Sequence, residues 1–341
     1  VLLYFFPEKI MDYFGDGSRW GMRINYIGAE ADYGTAGAVK MAEDRLDGTF
    51  LVISADIITD FDLSKAFEFH RENRAAATMV LTRVPNPIQY GIVLTEEDGR
   101  IARFLEKPSW GEVFSDTINT GIYILEPEVL SLVPAKRNFD FSKNLFPAML
   151  ERGDRLLGYV AEGYWKDVGN LSEYLNVHLD ILSGKAAIEY DGKKAGAGNV
   201  WIGENTHVDY TAELKNVVLG KDCTVASGVV AENSVLGDGC VVEEGAVIQS
   251  SVVWPRTVIH KGVRLLENII GSDCEIRGGA FLAERAVVSD HCRIGTGAIV
   301  KANVKVWPHK VAEDGAVLSS SLIWGGEWSR SLFCAFGIYC L

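Results

Sequence analysis

The sequence predicts an α/β domain followed by a solenoid of short parallel strands. Up to about Lys185, apolar strand-like runs alternate with helical patterns. Beyond Gly196 the helical patterns stop, and aliphatic residues instead recur at every sixth position. The 341 residues amount to about two domains at roughly 150 residues each. We therefore expect the α/β domain over residues 1–190 and the solenoid over residues 197–318.

The net charge argues against two classes of partner. Lys and Arg number 33 against 46 Asp and Glu, which gives a formal charge of -13. A field of that sign repels nucleic-acid phosphates and anionic membranes. In addition, no uncharged apolar run reaches the roughly 18 residues that a membrane helix needs. We expect a soluble protein with no nucleic-acid partner and no membrane partner.

Both ends of the chain resemble secondary-structure elements that are cut short. Residues 1–6 are apolar like a buried strand, and the first of them is Val1 rather than Met. Residues 331–341 are apolar and have neither a helix cap nor a polar tail. The sequence thus predicts a chain that is truncated at both ends.

The α/β domain has the strand and helix order of βαβ units, which predicts a mixed, mostly parallel sheet with helices on both faces. The predicted strands cover residues 50–54, 77–84, 91–94, 101–105 and 117–125. The predicted helices cover residues 38–46, 63–73, 143–152 and 172–183. Ser172 is the expected N-cap of the last helix, because its hydroxyl can accept from a free backbone N–H group.

The solenoid is predicted by six aligned repeats. They begin at Trp201, Val218, Val235, Val252, Ile269 and Val287, so the steps are 17 residues four times and 18 residues once. Aliphatic residues at every sixth position give three steps per coil, which fits a triangular prism with an aliphatic interior. The pattern resembles the hexapeptide repeats of left-handed parallel β-helices.

The repeat also explains four of the six cysteines. Cys223, Cys240, Cys274 and Cys292 occupy equivalent positions, where other coils have a threonine or another small residue. A metal site needs ligands that converge from several sides, whereas these residues form a ladder. We expect small buried thiols in a reducing cytoplasm.

Two acidic residues are candidate metal ligands. Asp56 directly follows an apolar strand, and ligands of open α/β sheets bind outside the carboxyl ends of the strands. Asp167 lies in a short Tyr-Trp-Lys-Asp-Val-Gly segment before the last predicted helix. Taken singly, each could equally be a turn-capping or loop acid.

Further polar, charged and small residues lie at the ends or openings of predicted elements. They are Gly34, Thr35, Ala36, Gly37, Gly91, Glu106, Lys107, Asn119 and Thr120. The first four open a predicted helix, where backbone amides could meet a phosphate or a base. Glu106 and Lys107 follow a strand, although an exposed pair of this kind is usually only solvated surface. Asn119 and Thr120 interrupt an apolar strand, which suggests a ligand-facing edge or a bulge.

Because these motifs occur together and in this order, residues 1–185 resemble the sugar nucleotidyltransferase family. Members of that family join a sugar 1-phosphate to a nucleoside triphosphate and release pyrophosphate. The resemblance implies a Rossmann-like fold, with the segment Gly34 to Gly37 on the nucleotide base and Mg²⁺ on Asp56 and Asp167. It further implies that Gly91, Glu106, Asn119 and its neighbour Thr120 bind the sugar, and that Lys107 binds the sugar phosphate. The expected catalytic residues are Asp56, Asp167 and Lys107.

Residues 319–341 resemble the junction into a phosphohexomutase domain, as in proteins that fuse a mannose-1-phosphate guanylyltransferase to a phosphomannomutase. This resemblance favours mannose 1-phosphate and GTP as substrates. The glycine-rich loop that handles the triphosphate in the family has no counterpart here, so we expect the chain as given to bind its substrates poorly or to be inactive. Two smaller departures are Ala55 in place of a glycine and Asn170 in place of a threonine.

Three alternatives remain open from the sequence. The substrates could be glucose 1-phosphate with UTP, dTTP or ATP, because residues 34–38 contain no side chain that reads the base. The chain could be a non-catalytic regulatory subunit that binds sugar nucleotides. It could also be a hexapeptide acyltransferase with His207, His260 or His291 as the base, although these occupy different repeat positions. In each case we expect a homo-oligomer, since an exposed solenoid end must be capped or paired.

Overall fold

The computed structural model describes residues 1–190, 192–195 and 198–323, and three two-residue strands beyond them, at 327–328, 333–334 and 337–338. The chain forms two compact units, Val1–Asp167 and Val168–Leu341. The boundary lies earlier than the expected one near residue 190, because the helix after Asp167 packs against the solenoid. No helix of the described residues is both long enough and apolar enough to cross a membrane.

Unit 1 contains ten strands. They are β1 (Leu2–Leu3), β2 (Ile27–Gly28), β3 (Phe50–Ile53), β4 (Ile57–Thr59), β5 (Ala77–Arg83), β6 (Gly91–Thr95), β7 (Ile101–Glu106), β8 (Thr117–Leu125), β9 (Leu156–Val160) and β10 (Trp165–Asp167). The main sheet has the order β7-β6-β8-β5-β9, with β3 also paired to β8. Strands β1 and β2 form a parallel pair, and β4 and β10 form an antiparallel ribbon. All predicted strands from residue 50 onward are thus present.

The sheet is mixed, as predicted. Most of its strands point the same way, but most neighbouring strands are antiparallel to each other. Strands β3, β5, β6 and β9 run one way, whereas β7 and β8 run the other way. Because β8 lies between β5 on one edge and β3 and β6 on the other, most neighbours are antiparallel, and β5–β9 is the parallel pair of this sheet. Alternating runs in the sequence could not reveal this placement of β8.

The helices of unit 1 are α1 (Pro7–Phe14), α2 (Gly34–Lys40), α3 (Leu63–Glu72) and α4 (Phe146–Arg152). The sequence did not predict α1, and α2 begins and ends earlier than the helix predicted over residues 38–46. Helix α4 is preceded by a π-helical turn, Phe141–Leu145, where an α-helix from residue 143 was expected. The predicted buried strand over residues 1–6 is wrong beyond Leu3: Phe5 is 74% exposed, and Pro7 already begins α1.

Unit 2 begins with α5 (Leu171–Leu182). Its N-cap is Asn170 and not Ser172, because the Asn170 side chain accepts from the Glu173 N–H at 3.0 Å. The apolar face of α5, including Leu175, packs on the outward-facing residues Val252 and Ile269 of the solenoid. One face of the prism is therefore covered by this helix.

The solenoid is a parallel β-helix. A hairpin strand, Lys193–Ala195, precedes it. One face consists of Val200–Ile202, Val252–Val253, Ile269–Ile270, Val287–Val288 and Lys305–Val306. A second face consists of His207–Val208, Thr224–Val225, Val241–Val242, Val258–Ile259, Glu275–Ile276, Arg293–Ile294 and Val311–Ala312. The third consists of Val247–Gln249, Arg264–Leu266, Phe281–Leu282, Ile299–Val300 and Val317–Leu318, and the longer strands Glu213–Leu219 and Val230–Leu236 span the first and third faces.

The interior of the β-helix confirms the repeat prediction. The aliphatic positions Val288, Ile294, Val300 and Val306 are fully buried. The four cysteines of the ladder are free thiols inside the same core, each at most 2% exposed. The predicted start of a phosphohexomutase domain, residues 319–341, lies mostly outside the described residues.

A buried asparagine provides a test of the β-helix interior. The Asn268 side chain accepts from the Leu266 N–H at 2.8 Å and donates to the carbonyls of Ala283 and Ala286 at 2.8 and 3.2 Å. Asn268→Ala removes these three hydrogen bonds and should lower the free energy of unfolding by about 2 kcal/mol or more. Urea unfolding measures this, with the exposed Gln249→Ala as the matched control. Equal midpoints for the two variants would contradict the assignment.

Candidate functional site

A cleft of about 410 Å³ lies in unit 1 beside the carboxyl ends of β3 and β7. Its polar lining comes from five separate segments of the chain. These residues are Thr35, Ser54, Glu106, Lys107, Tyr123, Asp140, Ser142 and Lys143. Sequence reasoning identified Thr35, Glu106 and Lys107 among them. The position of each predicted site residue of unit 1 is therefore described relative to this cleft.

Glycines at the start of α2 allow a close backbone contact. A Cβ atom on Gly34 would lie 2.8 Å from the Phe139 carbonyl oxygen, and one on Gly37 would lie 2.7 Å from the Arg137 carbonyl oxygen. Gly34 also has a positive φ of 67°, which favours glycine. Ala36 is fully buried, so its side chain belongs to the core. Of these four residues, Thr35 is the one whose side chain lines the cleft.

Glu106 and Lys107 end β7 at the cleft. Gly91 lies opposite Glu106 in β6, and a Cβ atom there would be 2.7 Å from the Glu106 carboxylate oxygen Oε2. The glycine therefore lets the carboxylate lie across the neighbouring strand. Burial raises the pKa of Glu106, and the positive charges of Lys107 and Lys143 partly offset this increase. Lys107 has a left-handed backbone, φ 46°, and its N–H donates to the Tyr90 carbonyl at 3.1 Å.

Asn119 belongs to a hydrogen-bond network next to Glu106. Its amide nitrogen donates to the Tyr123 hydroxyl at 2.9 Å and to the Ser142 hydroxyl at 3.3 Å, and its amide oxygen accepts from the Gly121 N–H at 3.1 Å. Burial raises the pKa of Tyr123 to about 12, so the phenol stays protonated at neutral pH. The network fixes the orientation of Asn119 beside the cleft, whose lining includes its partners Tyr123 and Ser142.

Thr120 lies at a bulge, which the sequence suggested as the alternative to a ligand-facing edge. The side chain is buried, and its hydroxyl donates to the Val80 carbonyl at 2.6 Å, where the β5–β8 register shifts between Val80 and Leu81. The Thr120 carbonyl accepts from the indole N–H of Trp165 at 3.0 Å. Thr120 thus stabilises the bulge, and its side chain does not line the cleft.

The two candidate metal ligands lie at the same end of the β4–β10 ribbon. In the β4–β10 ribbon, Asp167 is opposite Ile57, the residue directly after Asp56. Asp56 is exposed and lies two residues beyond Ser54 of the cleft, whereas the Asp167 Oδ1 atom is buried. Within the described part of the chain, no group of three or more His, Cys, Asp or Glu side chains could hold a metal. Two carboxylates are therefore available here, one on the last residue of β10 and one directly before β4, and neither belongs to the lining of the cleft.

Sequence reasoning missed Asp140, Ser142 and Lys143. Asp140 accepts from the Thr35 hydroxyl at 2.9 Å, across 105 positions of sequence, and caps the π-helical turn with its other oxygen. The Asp-Phe-Ser sequence just before a helix was an available N-cap signal. It indicates a helix start, and nothing local to it indicates a contact with Thr35.

The histidines of the β-helix do not form a common site. His260 is paired with Glu243 at 3.1 Å and with Glu275 at 3.3 Å, whereas His207 and His291 are exposed. They lie in different coils and are not equivalent in the repeat. This arrangement gives no support to an acyltransferase base.

Two family matches cover most of the chain. Residues 1–184 match the family "Nucleotidyl transferase", and residues 229–323 match the "GMPPB C-terminal domain". A mannose-1-phosphate guanylyltransferase of Mycobacterium tuberculosis is 34% identical over 203 residues, 56% of this chain and 56% of that protein. A UTP--glucose-1-phosphate uridylyltransferase of Synechocystis is 36% identical over 190 residues, 52% of this chain and 49% of that protein. A mannose-1-phosphate guanyltransferase of Yarrowia lipolytica is 37% identical over 174 residues, 49% of this chain and 47% of that protein.

The chain thus spans about half the length of the curated relatives it matches. The first family match covers more than half of the residues, including every residue of the cleft and both carboxylates of the ribbon. The mixed α/β sheet of unit 1 agrees with this match. The chain belongs to the nucleotidyl transferase family.

Proposed function

We propose that this protein is a sugar-1-phosphate nucleotidyltransferase that joins mannose 1-phosphate to GTP and releases pyrophosphate. The observation that carries the proposal is the polar cleft, in which Thr35 of one predicted substrate segment lines the same 410 Å³ space as Glu106 and Lys107 of the other. Two of the relatives described above carry the mannose and guanylyl names.

In this proposal Glu106 and Asn119 bind sugar hydroxyls, and Gly91 leaves room for the Glu106 carboxylate. Lys107 binds the sugar phosphate, because its ammonium is a compact point charge with three donors. The segment of Gly34, Thr35, Ala36 and Gly37 binds the base through its backbone and the Thr35 hydroxyl. Thr120 contributes by holding the β8 bulge.

Asp56 and Asp167 fit a magnesium ion. Mg²⁺ is usually bound by one or two carboxylates together with substrate phosphates, so a two-carboxylate site suits it. Members of this family generally use a divalent metal. Bound there, the ion would offset phosphate charge during transfer.

The reaction we propose is an in-line displacement. An oxygen of the sugar 1-phosphate attacks the α-phosphorus of the triphosphate, the new P–O bond forms, and the bond to pyrophosphate breaks. The residues of the chain act by positioning: Glu106 and Asn119 orient the sugar, and Lys107 holds its phosphate in line. No covalent enzyme intermediate is needed.

We further propose that the protein acts in the cytoplasm as a homo-oligomer. Four buried free thiols in the β-helix are compatible with a reducing compartment. The β-helix gives stacked coils whose outer surfaces are suited to contacts between copies.

Magnesium-dependent pyrophosphate release tests the activity. We expect release with GTP and mannose 1-phosphate from the full-length form, in which Asp56→Asn or Asp167→Asn should lower it about a hundredfold or more, since each removes a metal ligand. Asp98→Asn, an acidic residue of the β6–β7 turn, is the control. The assay should include this chain and, where it is part of a longer protein, the full-length form.

All four triphosphates should be combined with mannose and glucose 1-phosphates. Release with UTP and glucose 1-phosphate alone would replace the proposed substrates by those of the uridylyltransferase relative. A folded full-length protein that is silent with every pair would refute catalysis and favour the binding subunit.

The buried carboxylate of Glu106 has a stability cost that depends on pH. Its folded pKa lies above the ordinary value of 4.5, so between the two pKa values the folded state holds more protons than the unfolded state. The contribution of Glu106 to stability therefore falls as the pH rises through this window. Glu106→Gln should raise the urea midpoint at pH 7 and leave it unchanged at pH 3.5. An equal shift at both pH values would contradict the electrostatic explanation.

A further inference from the structure

We propose that Lys143 is a second phosphate-binding side chain of the cleft, and that Asp140 positions it by fastening the turn of residues 141–145 to Thr35. The inference rests on the proposed function, because it assigns a further residue to the same site. Lys143 was not predicted as a site residue from the sequence.

Asp140 holds the turn from two sides. Its Oδ1 atom accepts from the N–H groups of Ser142 and Lys143 at 2.9 and 3.2 Å. Its Oδ2 atom accepts from the Thr35 hydroxyl at 2.9 Å, and that hydroxyl oxygen accepts in turn from the Phe141 N–H at 3.0 Å. The position of Lys143 is thereby tied to the start of α2.

The form of the turn is itself informative. Residues Phe141–Leu145 make a π-helical turn directly before α4. Such turns are rare, cost hydrogen-bond geometry and occur frequently at functional sites. Here the turn places Ser142 and Lys143 on the lining of the cleft while Phe141 and Leu145 remain in the core.

The charges of the cleft require a second cation if a phosphate is to bind. The charged side chains of its lining are Glu106, Asp140, Lys107 and Lys143, so the two negative and two positive formal charges cancel. Without Lys143 the lining would be net negative and would repel a phosphate. The Lys143 charge reaches the neighbourhood of Glu106, since it lowers the pKa of that carboxyl as Lys107 does.

Lys143 is available for a ligand. Its side chain is exposed, and no ion pair among the described residues includes it. Lys40 and Lys65 of unit 1, by contrast, are paired with Glu43 and Asp62. A phosphate that approaches Glu106 from the cleft would therefore meet two ammonium groups, Lys107 and Lys143.

Equilibrium binding tests this role separately from turnover. Mannose 1-phosphate and GTP are titrated by calorimetry into the wild type, Lys143→Ala, Lys143→Arg and the control Lys65→Ala. We expect Lys143→Ala to weaken mannose 1-phosphate binding about tenfold or more, as for the loss of a charged hydrogen bond, with GTP binding nearly unchanged. Lys143→Arg should retain most of the affinity, and Lys65→Ala should match the wild type.

Asp140→Ala tests the positioning step. It should weaken mannose 1-phosphate binding in the same direction, and Asp140→Asn, which keeps an acceptor at the cap, should be milder. Urea midpoints close to that of the wild type are required for Lys143→Ala, because a merely structural lysine would change stability and leave affinity unaltered.

The outcomes separate the two proposals. Wild-type affinity in Lys143→Ala, or a loss confined to GTP, overturns the assignment of Lys143 to the sugar phosphate while pyrophosphate release still decides the activity. A wild type that binds mannose 1-phosphate through Lys143 but releases no pyrophosphate with any pair supports the assignment and refutes catalysis. A wild type that neither binds nor turns over any sugar 1-phosphate refutes both.

Discussion

The antiparallel strand β8 is the element on which unit 1 depends. It pairs with β5 along one edge and with β3 and β6 along the other, so three strands take their register from it. Aliphatic residues of β8 such as Ile122 and Ile124 are fully buried in the core of unit 1. The same strand carries Tyr123 to the cleft and Asn119 to the hydrogen-bond network beside it. A shift of one residue in β8 would therefore turn both the core and the site residues to the wrong face.

The bulge beside Thr120 shows how this strand serves both purposes. A regular strand places alternate residues on opposite faces, whereas the register shift between Val80 and Leu81 changes the alternation locally. The Thr120 hydroxyl satisfies the Val80 carbonyl at this point, and Gly121 adopts the positive φ of 76° that follows. Asn119 can thus contact the cleft-lining residues Tyr123 and Ser142, while Ile122 and Ile124 farther along the strand remain in the core.

The sequence predicted the β-helix more completely than the site. In a solenoid each coil contacts mainly its neighbours, so the repeat that fixes the fold is visible within about twenty residues of sequence. The cysteine ladder and the aliphatic columns followed from that periodicity alone. In unit 1 the strands from residue 50 onward were predicted from local pattern, but the pairing of β8 was not. Pairing depends on contacts between distant segments, and no local pattern specifies them.

The same distinction explains which site residues were missed. Glu106, Lys107 and Asn119 stand out because each departs from the pattern of its own strand. Asp140 and Lys143 conform to an ordinary capped helix start, so their sequence indicates only local structure. Asp140 contacts Thr35, which lies 105 positions earlier in the sequence. Lys143 contributes to the charge balance of a cleft that forms only in the folded chain. Residues that satisfy local rules and also contact a distant segment are therefore the ones for which a structure adds most to sequence reasoning.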